Sequence, residues 1–317
     1  MTPRHLLVPL NPADLITVSF LAFLTVLNLL FSARVSEWSL LCSLNILAIT
    51  LIVILAYEAH TRKTPLLMQI HRWYLYGAVL LVFKEIYLMV RPIHPVDYDD
   101  LLIEIDRWIF GVNPTQWLAQ YAHPVLTEIF QIGYSSYYLL FIILGIDVYK
   151  KQSWKGFDTS VFLVVYGFYL SYIGYFLFPA VGPRFTLHSF ELLSHELPGL
   201  WLTEPLRAFV NWGESIPTHL PNPVDYVQRD VFPSGHTQLS LVVLYCAFHY
   251  KITTRWFLTV LVVLLIIGTV YLRYHYVVDL VGGVFFFFCT IWSGRRIITW
   301  WERWQGRSEL ETHTKSR

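Results

Sequence analysis

The sequence predicts an all-α polytopic membrane protein of about eight transmembrane helices, on three observations. Of its 317 residues 55% are hydrophobic and only 14% are charged, too greasy and too poorly charged for a soluble domain. Apolar runs near the ~20 residues that a helix needs to cross a bilayer recur along the chain. Between them, cations and carboxylates fall into alternate loops, as they do around membrane spans.

Taken in order, the spans lie near 15–32, 39–57, 72–90, 126–148, 158–178, 236–250, 256–272 and 275–293. The leader of the first holds only Arg4 and His5, and a second span follows at once, which favours an uncleaved anchor over a signal peptide. One set of loops carries Arg62 and Lys63, then Lys150, Lys151 and Lys155, then Lys251 and Arg255, and finally the tail from Arg295. The other set is acidic, with Asp97, Asp99, Asp100, Glu104 and Asp106 in one loop and Glu191, Glu196, Glu204, Glu214, Asp225 and Asp230 in another. Because short Lys- and Arg-rich loops stay in the cytoplasm, both termini are expected inside the cytoplasmic membrane. Trp292, Trp300, Trp301 and Trp304 then form an interfacial belt at the inner end of the last span.

No internal repeat or flexible linker divides the chain. Residues 1–125 hold the N-terminal spans and an extracytoplasmic amphipathic segment, 126–293 a membrane domain that carries the motifs below, and 294–317 a cytoplasmic tail. In the segment, Leu101, Leu102, Ile105, Trp108 and Ile109 recur at helical spacing opposite the acidic residues, the pattern of a helix lying on the outer surface or, equally, of one packed on the bundle. The acidic side reads as solvated. A second insertion, from about Ala180 to Val231, is long enough for a lid or a substrate platform.

The net charge of +1 and the lack of a basic stripe set nucleic acid aside as a partner. Cys42, Cys246 and Cys289 lie far apart inside apolar runs, so neither a disulfide framework nor a cysteine metal site is expected. His188, Glu191 and His195 have a spacing that chance also produces, and no metal or other cofactor is assigned.

Three motifs converge on the expected outer face: "FPAVGPR" after the fifth span, "PSGH" before the sixth, and "RYHYVVD" after the seventh. His275 and Asp279, four apart at a helix start, share one helix face. The carboxylate can take the proton of one ring nitrogen and leave the other free to attack. Ser234 and Gly235 sit before a helix whose free N–H groups favour an anion. His236 beside them is placed to act as a general acid. Arg184 offers a planar fork for phosphate oxygens, and such chemistry needs no metal.

In this order the motifs resemble the type 2 phosphatidic acid phosphatase and vanadium haloperoxidase superfamily, and "YLRYHYVVDLVGG" is most similar to the inositol phosphorylceramide synthase branch and its bacterial relatives. The resemblance spans the last five predicted spans and implies a helical catalytic core, a His275 nucleophile partnered by Asp279, and His236 as acid. It also implies a phosphohistidine intermediate on a lipid phosphate, with a sugar or inositol hydroxyl as acceptor, or water in a phosphatase of the phosphatidate or polyprenyl type. Threonine stands at 269 where the phosphatase branch has an arginine, and Arg273 is the nearest substitute. The Lys-x6-Arg-Pro motif of that branch occurs as Lys84 to Pro92, in the third span. Phosphate ligands are thus open between Arg184, with Arg273, and the pair Lys84 and Arg91. For Lys84 and Glu85, mutual pairing within the span is the simpler alternative. A lipid transporter is a rival reading, but the order of spans shows no matching halves. Oligomeric state is left open.

Overall fold

The computed structural model describes residues 7–216 and 222–315, and these form helices and turns with no strand among them. Helix α1 (Pro12–Leu30) opens with a capping box in which the Asn11 side chain accepts the Asp14 N–H and the Asp14 carboxylate accepts the Asn11 N–H, both at 2.8 Å. Such reciprocal caps satisfy backbone donors that the first turn cannot. Helix α2 (Trp38–Arg62) ends at Lys63 in the left-handed region, and α3 (Pro65–Ile93) starts with proline at its first turn. An amphipathic helix, α4 (Asp99–Phe110), follows and stops at Gly111, where φ is 72°.

After the short α5 (Pro114–Ala119) come α6 (Pro124–Ser135) and α7 (Tyr137–Leu177). The helical run of α7 is a hairpin, because the rings of Phe141 and Phe168 lie 5.5 Å apart, far closer than a straight helix would leave them. Of its arms, Tyr137–Gln152 carries the second part of the fourth predicted span and Trp154–Leu177 corresponds to the fifth. The insertion contributes α8 (Thr203–Gly213), and the last three helices are α9 (Gly235–His249), α10 (Arg255–Tyr271) and α11 (Val277–Lys315).

The second arm of α7 is the central post. Tyr169 stacks on Phe20 of α1 at 4.4 Å, Tyr172 faces Phe83 of α3 at 5.8 Å, and α9 and α11 pack on its other sides. Close approach of α9 and α11 depends on Gly283, where an added methyl would meet the Ser234 carbonyl at 2.6 Å.

Five helices among the described residues are long and apolar enough to cross a membrane, and α6 with the first arm of α7 makes a sixth if counted as one span. The fourth predicted span, 126–148, is broken there by 50°. At the break Ser136 Oγ donates to the Gly133 carbonyl at 2.7 Å, a side-chain bond that competes with the helical ladder. The α9 and α10 helices coincide with the sixth and seventh predicted spans but have only 15 and 17 residues, fewer than the ~20 of a typical crossing.

The face of α4 differs from the amphipathic expectation. Asp99 and Asp106 point inward and are buried with Leu102, whereas Leu101, Trp108 and Ile109 are exposed. Asp99 therefore does not belong to a solvated acidic surface: its carboxylate accepts the N–H groups of Val181 (2.9 Å) and Gly182 (2.8 Å) and the Tyr276 hydroxyl (2.8 Å). Asp106 accepts the N–H groups of Val277 and Val278, each at 2.8 Å. Buried backbone donors need such partners, so these two carboxylates turn inward beside Leu102 and Ile103, while Asp100 and Glu104 stay exposed.

Candidate active site

The turn between α10 and α11 shapes the first half of the site. The Thr269 carbonyl accepts the N–H groups of both Tyr274 (2.9 Å) and His275 (3.0 Å), and Arg273 takes φ 69° to close the turn. His275 is thereby driven inward, 3% exposed. Its Nδ1 lies 3.3 Å from Asp279 Oδ2, and its Nε2 lies 3.4 Å from His236 Nδ1. Asp279, fully buried in the first turn of α11, also accepts the Tyr276 N–H at 2.8 Å, while its Oδ1 has no partner.

The start of α9 supplies the second half. Ser234 Oγ accepts the Thr237 N–H at 3.2 Å as the helix cap, and the Ser234 N–H donates to the Asp279 carbonyl at 3.0 Å, which joins the two helix starts. Gly235 packs closely under Tyr175, since a methyl there would lie 2.5 Å from the Tyr175 hydroxyl and would displace it. The His236 ring is held between Tyr134 at 4.6 Å and Tyr137 at 4.4 Å. Those two tyrosines flank the break between α6 and α7, so the bend is what brings both rings onto one imidazole.

Arg184 is buried with its guanidinium 4.6 Å from the Tyr274 ring centre. Nη2 pairs with Glu214 and Nη1 lies 3.4 Å from Asn211 Oδ1, whereas Nε is buried without a partner. Burial lowers the pKa of Arg184 below its ordinary value, but a guanidinium stays charged in proteins. Its backbone N–H donates to the Arg273 carbonyl at 3.1 Å. Arg273, equally buried, pairs with Glu196 and also leaves Nε unpaired.

Residues 100–293 match the sequence profile of the PAP2 superfamily. The chain belongs to the PAP2 superfamily. Membership supports an enzyme, a phosphatase or phosphotransferase acting on lipid phosphate. No curated protein and no solved structure shows significant similarity to it.

Lys84 and Arg91 precede the part matched to the PAP2 superfamily, and both reach the insertion. Lys84 Nζ donates to the Gly213 carbonyl (2.6 Å) and Ser215 Oγ (2.7 Å), and Arg91 donates to the Asp225 carbonyl (2.7 Å). Neither touches the histidines in this structure. The alternative of a Lys84–Glu85 pair is corrected, because Glu85 Oε1 instead accepts from Asn45 (2.7 Å) and Asn28 (3.1 Å). Adjacent residues on a helix point in different directions and cannot share a partner face. His188 bonds to Thr115 at 3.1 Å, and burial lowers its pKa to about 4.

Four carboxylates around this PAP2 core have partners that the sequence does not reveal. Asp99 and Asp106 are the ties described above. Glu128 accepts the N–H groups that open α8, and half-buried Asp230 lies within electrostatic reach of both Arg184 and Lys84. For Glu128 a signal existed: a carboxylate inside an apolar run is costly without partners. A groove of about 860 Å³ lined by Trp292, Arg295, Trp300 and Trp304 runs along the far end of α11, and no motif residue borders it.

Proposed function

We propose that this protein transfers a phosphoryl group from a lipid phosphate through a phosphohistidine on His275. The observation that carries the reading is the buried line from Asp279 through His275 to His236, with one contact at each ring nitrogen of His275. Asp279 accepts the Nδ1 proton, which leaves the Nε2 lone pair to attack phosphorus. As the N–P bond forms, the bond to the lipid oxygen breaks, and His236 in its protonated form gives that oxygen a proton. Neutral His236 then takes a proton from the acceptor hydroxyl, whose oxygen attacks phosphorus and frees His275. Arg184 and the N–H groups at the start of α9 stabilise the phosphoryl charge, with Arg273 as a further cation.

The likeness of "YLRYHYVVDLVGG" to the inositol phosphorylceramide synthase branch supports an alcohol, of the inositol or sugar type, as acceptor. With water instead, the same steps make a lipid phosphatase. In the topology that fits this reading, eight segments cross the cytoplasmic membrane, both termini are cytoplasmic, and the histidines face outward.

The test is turnover of labelled lipid phosphates by purified protein, with and without inositol and other alcohols. Quenched wild type should carry acid-labile, base-stable label, and His275→Ala should carry none and lose turnover while keeping its thermal unfolding profile. Normal turnover in a folded His275→Ala variant would sink the reading. Product released only as free phosphate at every alcohol concentration would assign water as acceptor.

A further inference from the structure

Helix α8 is fastened at both ends by side chains from distant helices. At its start Glu128 of α6 accepts the N–H groups of Leu200, Trp201, Leu202 and Thr203 at 2.7–3.2 Å, together with the Thr203 hydroxyl at 2.6 Å. At its end Lys84 of α3 grips the Gly213 carbonyl and the Ser215 hydroxyl. Ser215 takes φ 61°, and the Ile216 N–H returns to the Asn211 carbonyl at 2.9 Å, so the chain turns tightly there. Asn211 and Glu214, on that turn, are the two residues that hold the terminal nitrogens of Arg184.

The direction of the remaining Arg184 donor, the buried and unpaired Nε, is thus set by where this turn sits. We propose that Lys84 is a positioning residue for phosphoryl transfer, acting on the phosphate through the Gly213–Ser215 turn, Glu214 and Arg184. It does so from a helix that lies before the matched residues 100–293. The proposal rests on the reading above that Arg184 holds the phosphate. A guanidinium aims its donors in a fixed plane, so a small shift of its anchor misdirects Nε, and such misplacement is costly to transfer rates.

A double-mutant cycle tests it, because residues that act in series lose additivity whereas independent ones keep it. Kinetics are measured on an activated aryl phosphate, with thermal unfolding of every variant. Lys84→Ala should lower kcat/KM about tenfold in the wild-type background and less than about twofold in Arg184→Ala. Lys84→Arg, which keeps a donor, should recover part of the loss, and Glu214→Gln should lower the rate. Ser215→Ala, which removes one acceptor and leaves Lys84 in place, should give a smaller loss that also vanishes in Arg184→Ala, and it serves if Lys84→Ala does not fold. Equal losses in both backgrounds would overturn the proposal, and so would a faster Glu214→Gln. If Arg184→Ala alone keeps the wild-type rate, it is the phosphate assignment of Arg184 that fails. A large Arg184→Ala loss with additive Lys84 effects refutes only the positioning role.

Discussion

His275 and Asp279 were legible as a pair from their spacing of four at a helix start, and they meet as that spacing requires. The partners of Arg184 were not, because Glu214 lies 30 residues away and only the packing of α8 brings it near. With Arg184 placed on the transferring group, Arg184→Ala should cost about 2 to 4 kcal/mol of transition-state stabilisation, the scale of one preorganised donor. Arg184→Lys should recover little, since one ammonium cannot hold Asn211 and Glu214 in the fixed plane that aims Nε; steady-state kinetics on both variants is the check. Asp230 sets a pH dependence. Burial pushes its pKa up to about 6, against the opposing pull of Arg184 and Lys84. A carboxylate raised above its ordinary value stabilises the fold most below that ordinary range, near pH 4, and this contribution is lost as pH rises through about 6. The same ionisation puts a negative charge within electrostatic reach of Arg184, the cation assigned above to the phosphate. Sulfate should therefore compete equally well against wild type and Asp230→Asn at pH 5, and better against Asp230→Asn at pH 7. A ratio that does not change between the two pH values would remove this role from Asp230.

Among the elements, α9, α10 and the start of α11 lie where the apolar runs and small-residue turns placed them. The break at Ser136 was hidden, because an apolar run continues through it and nothing in hydropathy marks a 50° bend. The setting of α4 stays open in the sequence for a related reason: pattern separates the two faces of a helix but does not say which residues of each will meet protein, and Asp99 and Asp106 are buried beside Leu102 and Ile103 while Asp100 and Glu104 are exposed. Helix contact also sets the next prediction. Gly283 lets α11 lie against the Ser234 carbonyl, and an alanine methyl there would intrude at 2.6 Å. Overpacking of this kind costs about 1 to 3 kcal/mol. Gly283→Ala should lower the unfolding temperature in detergent and slow turnover by separating Asp279 from the start of α9. Unchanged stability and rate would show that the two helices have room to spare.

At the scale of the whole molecule, the sequence located a helical membrane protein and the part that carries the motifs, but not how the N-terminal helices join it. That junction is made by long-range polar contacts: His71 and Tyr74 of α3 on Asp14 of α1, Arg72 on Asp158 of α7, and Lys84 and Arg91 on the insertion. No local pattern encodes such partners. The proposed topology predicts that, in a variant free of native cysteine, Cys at Lys151 is labelled only from the cytoplasm and Cys at Glu204 only from outside. Labelling of both from one side would refute it. The ties from α4 carry a last consequence. Asp99 and Asp106 grip main-chain N–H groups at residues 181, 182, 277 and 278, so what they hold is indifferent to the side chains at Val181, Val277 and Val278. These positions border the GPR turn and the histidine turn; half-buried Val277 and Val278 can change without losing those bonds, whereas Val181 is also packed in the core against Ile216 and Val227. A fold fastened in this way can exchange side chains beside the histidine turn while the backbone beneath stays in register.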